Sequence, residues 1–97
     1  MIESTKYNPN IKFDDIKFQP STHHIGVHAV VELDNGYKAS IVCHEYSYGG
    51  DRGLYELAVI RDNRIVYDTP ITNDVLGWLT PDDIVNTLNK INLLKGQ

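Results

Sequence analysis

The chain has 97 residues, the length of one domain, and its 41% hydrophobic and 23% charged residues are ordinary for a soluble globular protein. Its formal net charge of −4 argues against nonspecific nucleic-acid binding, which requires a basic surface. A single cysteine, Cys43, excludes an intrachain disulfide. Because the first residues lack the pattern of a signal peptide and no apolar run is long enough to cross a membrane, we expect a cytosolic protein with no membrane partner.

The N-terminal segment predicts little regular structure. Residues 1–10 are polar and end in Asn8-Pro9-Asn10, which predicts an N-terminal arm. Residues 11–18 hold four apolar residues, but Asp14-Asp15 breaks their alternation. This pattern predicts a short or bulged edge strand that Pro20 ends.

A β-hairpin over residues 27–44 is the clearest feature of the sequence, because apolar residues alternate on both sides of Asp34-Asn35-Gly36. A two-residue turn would place apolar residues of one strand opposite polar residues of the other. A three-residue loop places Leu33 opposite Tyr37 and keeps the apolar residues on one face. We therefore predict the three-residue loop, with Gly36 in the left-handed conformation of a G1 bulge.

The rest of the chain predicts two more strands, an irregular crossing and a helix. Residues 54–60 and 65–67 predict strands joined by a polar turn. Residues 71–79 predict an irregular crossing. Within the wider segment 69–79, either Trp78 closes the end of the core, or polar residues line a site: Thr69, Thr72, Asn73 and Asp74.

The C-terminal segment has the pattern of an amphipathic helix that starts at Thr80 and stops near Gly96. Pro81 and the acidic pair Asp82-Asp83 suit the first turn. The sequence thus predicts an α+β domain, an antiparallel β-meander of four to five strands with one C-terminal amphipathic helix packed on one face.

The histidines do not make a convincing metal site. On a strand, His24 and His28 lie roughly 13 Å apart, too far to share an ion. His28 and His44 are diagonal neighbours on the outer face in the predicted register, but Glu45 points away from them. We predict no bound metal or cofactor. Solvated histidines, a pH-sensitive surface, a zinc site and a weak hydrolase using His28 or His44 remain alternatives.

The adjacent Cys43 and His44 cannot form a catalytic dyad if they lie on a strand, because neighbouring side chains then point to opposite faces. Cys43 falls on the apolar face, and we expect it to be buried.

The stretch HEYSYGGDRGLYE at residues 44–56 is the main candidate for a binding loop. It contains a GxxG, but the predicted flanking strands and Asp51 do not suit the phosphate clamp of a KH domain. Tyrosine and arginine are enriched at interface hot spots. The loop is either a hairpin connection, a protein-binding loop or a small-ligand loop. The candidate binding residues are Tyr46, Tyr48, Asp51, Arg52, Tyr55, His28 and His44.

Three stretches resemble a family of small, mostly uncharacterised proteins of tailed phages and prophages. They are HHIGVHAVVELDNGYKASIV at 23–42, YGGDRGLYELAVI at 48–60 and YDTPITNDVLGWLTPDDIVNTLNKI at 67–91. The most specific part is the YDTPIT-x-DV-x-G-x-LT pattern. The resemblance implies expression in the host bacterial cytoplasm and brings no established catalytic residues.

These observations lead to two functional hypotheses. The first is a small noncatalytic phage accessory protein that binds and inhibits a host protein, such as a component of bacterial antiviral defence. The alternative is a homo-oligomeric sponge that sequesters a small nucleotide immune signal, with Arg52, His28, His44 and the tyrosines as contacts.

Overall fold

The computed structural model describes residues 4–21, 24–66 and 75–94. These residues form an α+β fold with an open, mostly antiparallel sheet of seven strands and one C-terminal helix, which confirms the predicted fold class. The strands are β1 (Thr5–Lys6), β2 (Gln19–Pro20), β3 (Gly26–Glu32), β4 (Lys38–His44), β5 (Tyr55–Arg61), β6 (Arg64–Ile65) and β7 (Leu76–Leu79), and the helix α1 is Pro81–Asn92.

The centre of the sheet consists of the three long strands β3, β4 and β5. The hairpin register is the predicted one: Glu32 pairs with Lys38, and the amide of Leu33 donates to the carbonyl of Tyr37 at 3.0 Å. Gly36 has a φ of 89°, as a left-handed bulge residue requires. The hairpin pattern therefore determined which face each side chain occupies.

Thr5–Lys6 are part of the sheet, so the prediction of an arm over residues 1–10 misses a strand within the part of that segment that the structure describes. β1 pairs in parallel with β3, and the buried Tyr7 donates from its hydroxyl to Asn89 of α1 at 2.6 Å. The predicted edge strand over residues 11–18 is also wrong: Phe13–Asp15 form a 3-10 turn, and only Gln19–Pro20 pair with β3.

The crossing before the helix ends in a strand that the sequence did not predict. β7 pairs with β5 across a register shift, with Leu79 opposite Tyr55. The predicted return strand over residues 65–67 is confirmed as far as the structure describes it: β6 pairs with β5 through Arg64–Ile65, and the Val66 amide donates to the Val59 carbonyl at 2.8 Å. Residue 67 lies outside the described residues. The alternative site at Thr69, Thr72, Asn73 and Asp74 lies outside the described residues.

The core lies between one face of the sheet and α1. Fully buried helix residues Ile84, Leu88 and Ile91 pack against the inward residues of the long strands, which are Ala29, Val31, Ala39, Ile41, Leu57 and Val59. Cys43 is only half-buried, contrary to expectation, because it lies at the end of β4, where its thiol donates to the carbonyl of Gly50 at 3.8 Å.

The start of α1 follows the prediction, and its end does not. Thr80 and Asp83 form a capping box, and these hydrogen bonds to Thr80 hold the pKa of Asp83 below its ordinary value. The helix ends at Asn92 because Asn35 of the hairpin loop donates through Nδ2 to the carbonyls of Ile91 and Leu94, at 2.8 and 3.0 Å. Among the described residues, no helix combines the length and apolar character that a membrane span requires.

Candidate functional site

A compact turn built on Ser47 follows β4. The Ser47 hydroxyl accepts from the backbone amide of His44 at 2.9 Å and donates to the His44 carbonyl at 3.0 Å. Ser47 is buried, whereas Tyr46 and Tyr48 on either side of it are exposed. The serine therefore anchors the turn so that both tyrosines face solvent.

The chain then makes a 3-10 turn over Gly50–Arg52. The amides of Arg52 and Leu54 both donate to the carbonyl of Gly49 at 3.0 Å. A Cβ atom on Gly50 would overlap the carbonyl oxygen of His44, so only glycine permits this close approach. The glycines of this stretch thus serve compact folding of the loop.

Trp78 on β7 packs against this loop and adds a third exposed ring. Its amide donates to the carbonyl of Tyr48 at 3.2 Å, and Gly77 lies directly against the Tyr48 side chain. The Arg52 guanidinium carbon lies 5.9 Å from the centre of the Trp78 ring, within the range of a cation–π contact. Tyr48, Arg52 and Trp78 therefore form one cluster although they come from two separate parts of the chain.

The large side chains at this end of the sheet are strongly exposed. The exposed fractions are 54% for Trp78, 59% for Tyr48, 75% for Tyr46 and 79% for Ile25. We call the surface formed by Ile25, Tyr46, Tyr48, Arg52 and Trp78 the loop-end surface. Exposed aromatic and apolar groups clustered together mark interaction sites more often than single exposed residues do.

Two histidines border the loop-end surface. The His24 ring lies 4.5 Å from the His44 ring and 5.2 Å from the Tyr46 ring, measured between centroids. The Tyr46 amide donates to Nδ1 of His44 at 3.1 Å, which makes this nitrogen an acceptor. The ring stack and this hydrogen bond orient Tyr46 relative to the sheet.

His28 lies further along the outer face of the sheet, diagonal to His44 as the hairpin register predicted. Its Nε2 is 3.4 Å from the Ser40 hydroxyl. Burial lowers the pKa of His28, and the nearby His44 lowers it further. Within the described ranges, no three histidine, cysteine or acidic side chains are placed to hold a metal ion.

The structure brings together most of the binding residues that the sequence predicted. Tyr46, Tyr48 and Arg52 share the loop-end surface, His44 borders it, and Asp51 is exposed in the same 3-10 turn.

Tyr55 lies apart from the other candidates, on the inward face of β5. Its ring contacts those of Phe13 and Phe18, with centroids 5.2 and 5.4 Å away. Burial raises the pKa of the Tyr55 hydroxyl, and the electrostatic effect of the nearby Cys43 raises it further. The structure places Tyr55 among the residues packed against the core.

Trp78 and Ile25 are the members of the surface that sequence reasoning missed. Trp78 was expected to close the core, but its ring is more than half exposed. The available signal was Gly77, since a glycine within a strand often marks close backbone approach. Ile25 lies in a short connection before β3, and its carbonyl accepts a hydrogen bond from the backbone amide of Glu45 at 3.2 Å.

Comparison with known proteins adds no assignment, because no family model, curated protein or solved structure matches the chain. The resemblance to phage-encoded proteins therefore stays a prediction.

Proposed function

We propose that the chain is a noncatalytic binding protein that recognises another protein through the loop-end surface. The exposed cluster of Tyr48, Arg52 and Trp78 carries this proposal. Tyrosine, tryptophan and arginine dominate interface hot spots because they combine a large contact area with a polar group.

The shape of the cluster favours a protein over a small molecule. The aromatic rings of Tyr46, Tyr48 and Trp78 are each more than half exposed. Small-molecule sites are concave and enclose most of their ligand. Projecting rings of this kind instead suit insertion into pockets on a partner protein.

A narrower proposal concerns the partner. The resemblance to phage proteins supports a bacterial host protein, in particular a component of antiviral defence, that this chain inhibits in the host cytoplasm. The structure contributes the surface, and the resemblance alone contributes the class of partner.

Affinity capture with two test variants and one control variant tests the proposal. The tagged protein is recovered from its bacterial host, and native mass spectrometry identifies bound species. Tyr48→Ala and Arg52→Ala each remove one exposed member of the cluster. If these residues are hot spots, each variant should bind the recovered partner about tenfold more weakly or worse.

Leu93→Ala is the matched control. Leu93 is 82% exposed and lies beyond α1 at the hairpin-loop end of the molecule, where Asn35 contacts the helix terminus. This variant should retain wild-type affinity. Equal affinity in all three variants and in the wild type would contradict the proposed surface.

Nucleotide sequestration is the second candidate, and the Arg52–Trp78 contact is the observation that favours it. An aromatic face can stack on a base while a guanidinium binds a phosphate. In this case native mass spectrometry would detect a small added mass, and calorimetry with cyclic and ADP-ribose-type nucleotides would give heat that Arg52→Ala abolishes. No heat with any of them would contradict this candidate.

A further inference from the structure

The hairpin loop between β3 and β4 contains a chemically reactive pair of residues that the proposed function does not use. An asparagine deamidates when the backbone nitrogen of the next residue attacks its side-chain Cγ and ammonia leaves. A glycine in the next position hinders this attack least, because it has no side chain. Asn35, before Gly36, is the one asparagine of the sequence that a glycine follows.

The conformation of the loop favours the attack. Gly36 is exposed, and a Cβ atom built on it would have open space, with no described atom beyond its chain neighbours within 4 Å. Oδ1 of Asn35 accepts from the Tyr37 amide at 3.3 Å, and the ring that this hydrogen bond closes contains the Gly36 nitrogen. The hydrogen bond thus holds the carboxamide beside the Gly36 peptide and polarises its carbonyl group.

The end of α1 opposes the reaction. Nδ2 of Asn35 is the leaving group, and it donates to the carbonyls of Ile91 and Leu94 at 2.8 and 3.0 Å. To leave as ammonia, Nδ2 must gain a proton, and carbonyl oxygens are acceptors that supply none. Its departure also leaves two carbonyls at a helix terminus without their donor. The docked helix end therefore raises the barrier to deamidation.

We infer that Asn35 is a deamidation site that the docked end of α1 keeps unreacted, and that its modification releases the helix end. A base from solvent removes the Gly36 amide proton, the nitrogen bonds to Cγ of Asn35, and the bond from Cγ to Nδ2 breaks. Nδ2 takes a proton from water and leaves as ammonia, which yields a succinimide ring. A water molecule then opens the ring to aspartate or isoaspartate.

Neither product keeps the contact with the helix. Aspartate places a carboxylate where Nδ2 donated, next to carbonyls that carry partial negative charge. Isoaspartate also adds one carbon to the main chain of the three-residue loop, and the hairpin register depends on the length of that loop. Modification of Asn35 therefore loosens the end of α1, and a loosened helix end in turn favours modification.

Peptide mapping by mass spectrometry tests the inference. The tryptic peptide over residues 18–38 contains Asn35 as its one asparagine, and fragmentation assigns the conversion of amide to acid to that residue. The wild-type chain is incubated at mildly alkaline pH, in buffer and in denaturing urea. Asn35 should react at least about tenfold more slowly in buffer, because reaction then requires opening of the helix end. Asn63 precedes an arginine and should react more slowly than Asn35 in urea.

Two substitutions at Leu93 test the role of the helix end. Leu93 is 82% exposed, so neither substitution removes a core contact. Leu93→Pro removes the amide that donates to the Lys90 carbonyl at 3.1 Å and disfavours helical backbone at Asn92. This variant should deamidate in buffer several-fold faster than the wild type. Leu93→Ala keeps the amide and should react at the wild-type rate.

Unfolding of the product tests the release of the helix. The deamidated chain carries one more negative charge, so ion exchange separates it from the unmodified chain. It should unfold at a lower urea concentration than the unmodified chain.

Three outcomes would overturn the inference: equal rates at Asn35 in buffer and in urea, equal rates in Leu93→Pro and Leu93→Ala, or a deamidated chain with an unchanged urea midpoint. If Leu93→Pro fails to fold, the wild-type rates and the urea midpoint still decide the question.

Discussion

At the scale of single residues, Trp78 illustrates how backbone strain serves an exposed side chain. Its φ of 61° is left-handed, which is rare for a bulky residue and costs about 1–3 kcal/mol. The hydrogen bond to the Tyr48 carbonyl and the packing of Gly49 against the ring hold it there. Strain of this kind is frequent at binding sites, in agreement with the proposed role of the loop-end surface.

A comparison of Trp78→Gly with Trp78→Ala tests the strain. Both variants lose the ring, but glycine adopts a positive φ freely and alanine does not. Trp78→Gly should therefore be more stable than Trp78→Ala by about 1 kcal/mol in urea unfolding, the reverse of the usual order in a strand. An alanine variant as stable as the glycine variant would contradict a strained backbone at this position.

His28 makes a prediction about pH. The pKa of His28 in the folded protein is lower than its ordinary value of 6.5. At a pH between the folded-state pKa and 6.5, the imidazole therefore binds more protons in the unfolded chain than in the folded one. The contribution of His28 to stability is present above pH 6.5 and is lost as the pH falls through 6.5 towards the folded-state pKa.

Urea unfolding between about pH 5 and pH 8 measures this contribution. His28→Gln should have a shallower dependence of stability on pH than the wild type. His24→Gln retains His28, so the part of the pH dependence of stability that His28 contributes should be the same as in the wild type. Identical slopes for His28→Gln and the wild type would show that His28 is not the responsible group.

At the scale of elements, the contact between the hairpin loop and the end of α1 joins the two layers. Asn35 donates to two helix carbonyls and accepts from the Tyr37 amide at 3.3 Å. The carbonyls at a helix C-terminus carry partial negative charge and need donors. One asparagine therefore terminates the helix and aligns it on the sheet.

Asn35→Asp tests this contact with almost no change in shape. The carboxylate loses both donors and repels the helix C-terminus, so the free energy of unfolding should fall by about 1–3 kcal/mol. Asp34→Asn changes the neighbouring exposed residue and should change stability by less than about 0.5 kcal/mol. Chemical unfolding of both variants measures the difference, and equal stability would contradict a capping role for Asn35.

At the scale of the whole molecule, the two ends of the sheet differ in what packs against them. The hairpin-loop end is closed by α1 through Asn35, and the opposite end carries the loop-end surface. Two-residue strands cover parts of both outer edges of the long strands, which shields backbone groups that would otherwise recruit other chains. These edges are therefore less available for pairing with strands of other chains.

The sequence identified most of the candidate binding surface, because tyrosine, arginine and glycine are concentrated in one segment between two strands. It misplaced Trp78, since whether a tryptophan is buried depends on what packs against it. The contact with Tyr48 joins residues thirty positions apart, and no local pattern records such a contact.

For the fold, the sequence alone determined the elements whose signals are local. Strict alternation around Asp34-Asn35-Gly36 defined the hairpin register, and Thr80-Pro81 defined the helix start. Only the tertiary structure decided the pairing of Thr5–Lys6 with β3 and of β7 with β5, and the end of α1 at Asn92. These features depend on partners distant in the chain: a strand of two to four residues forms only when a neighbouring strand supplies its hydrogen bonds, and the last carbonyls of a helix need donors from outside the helix.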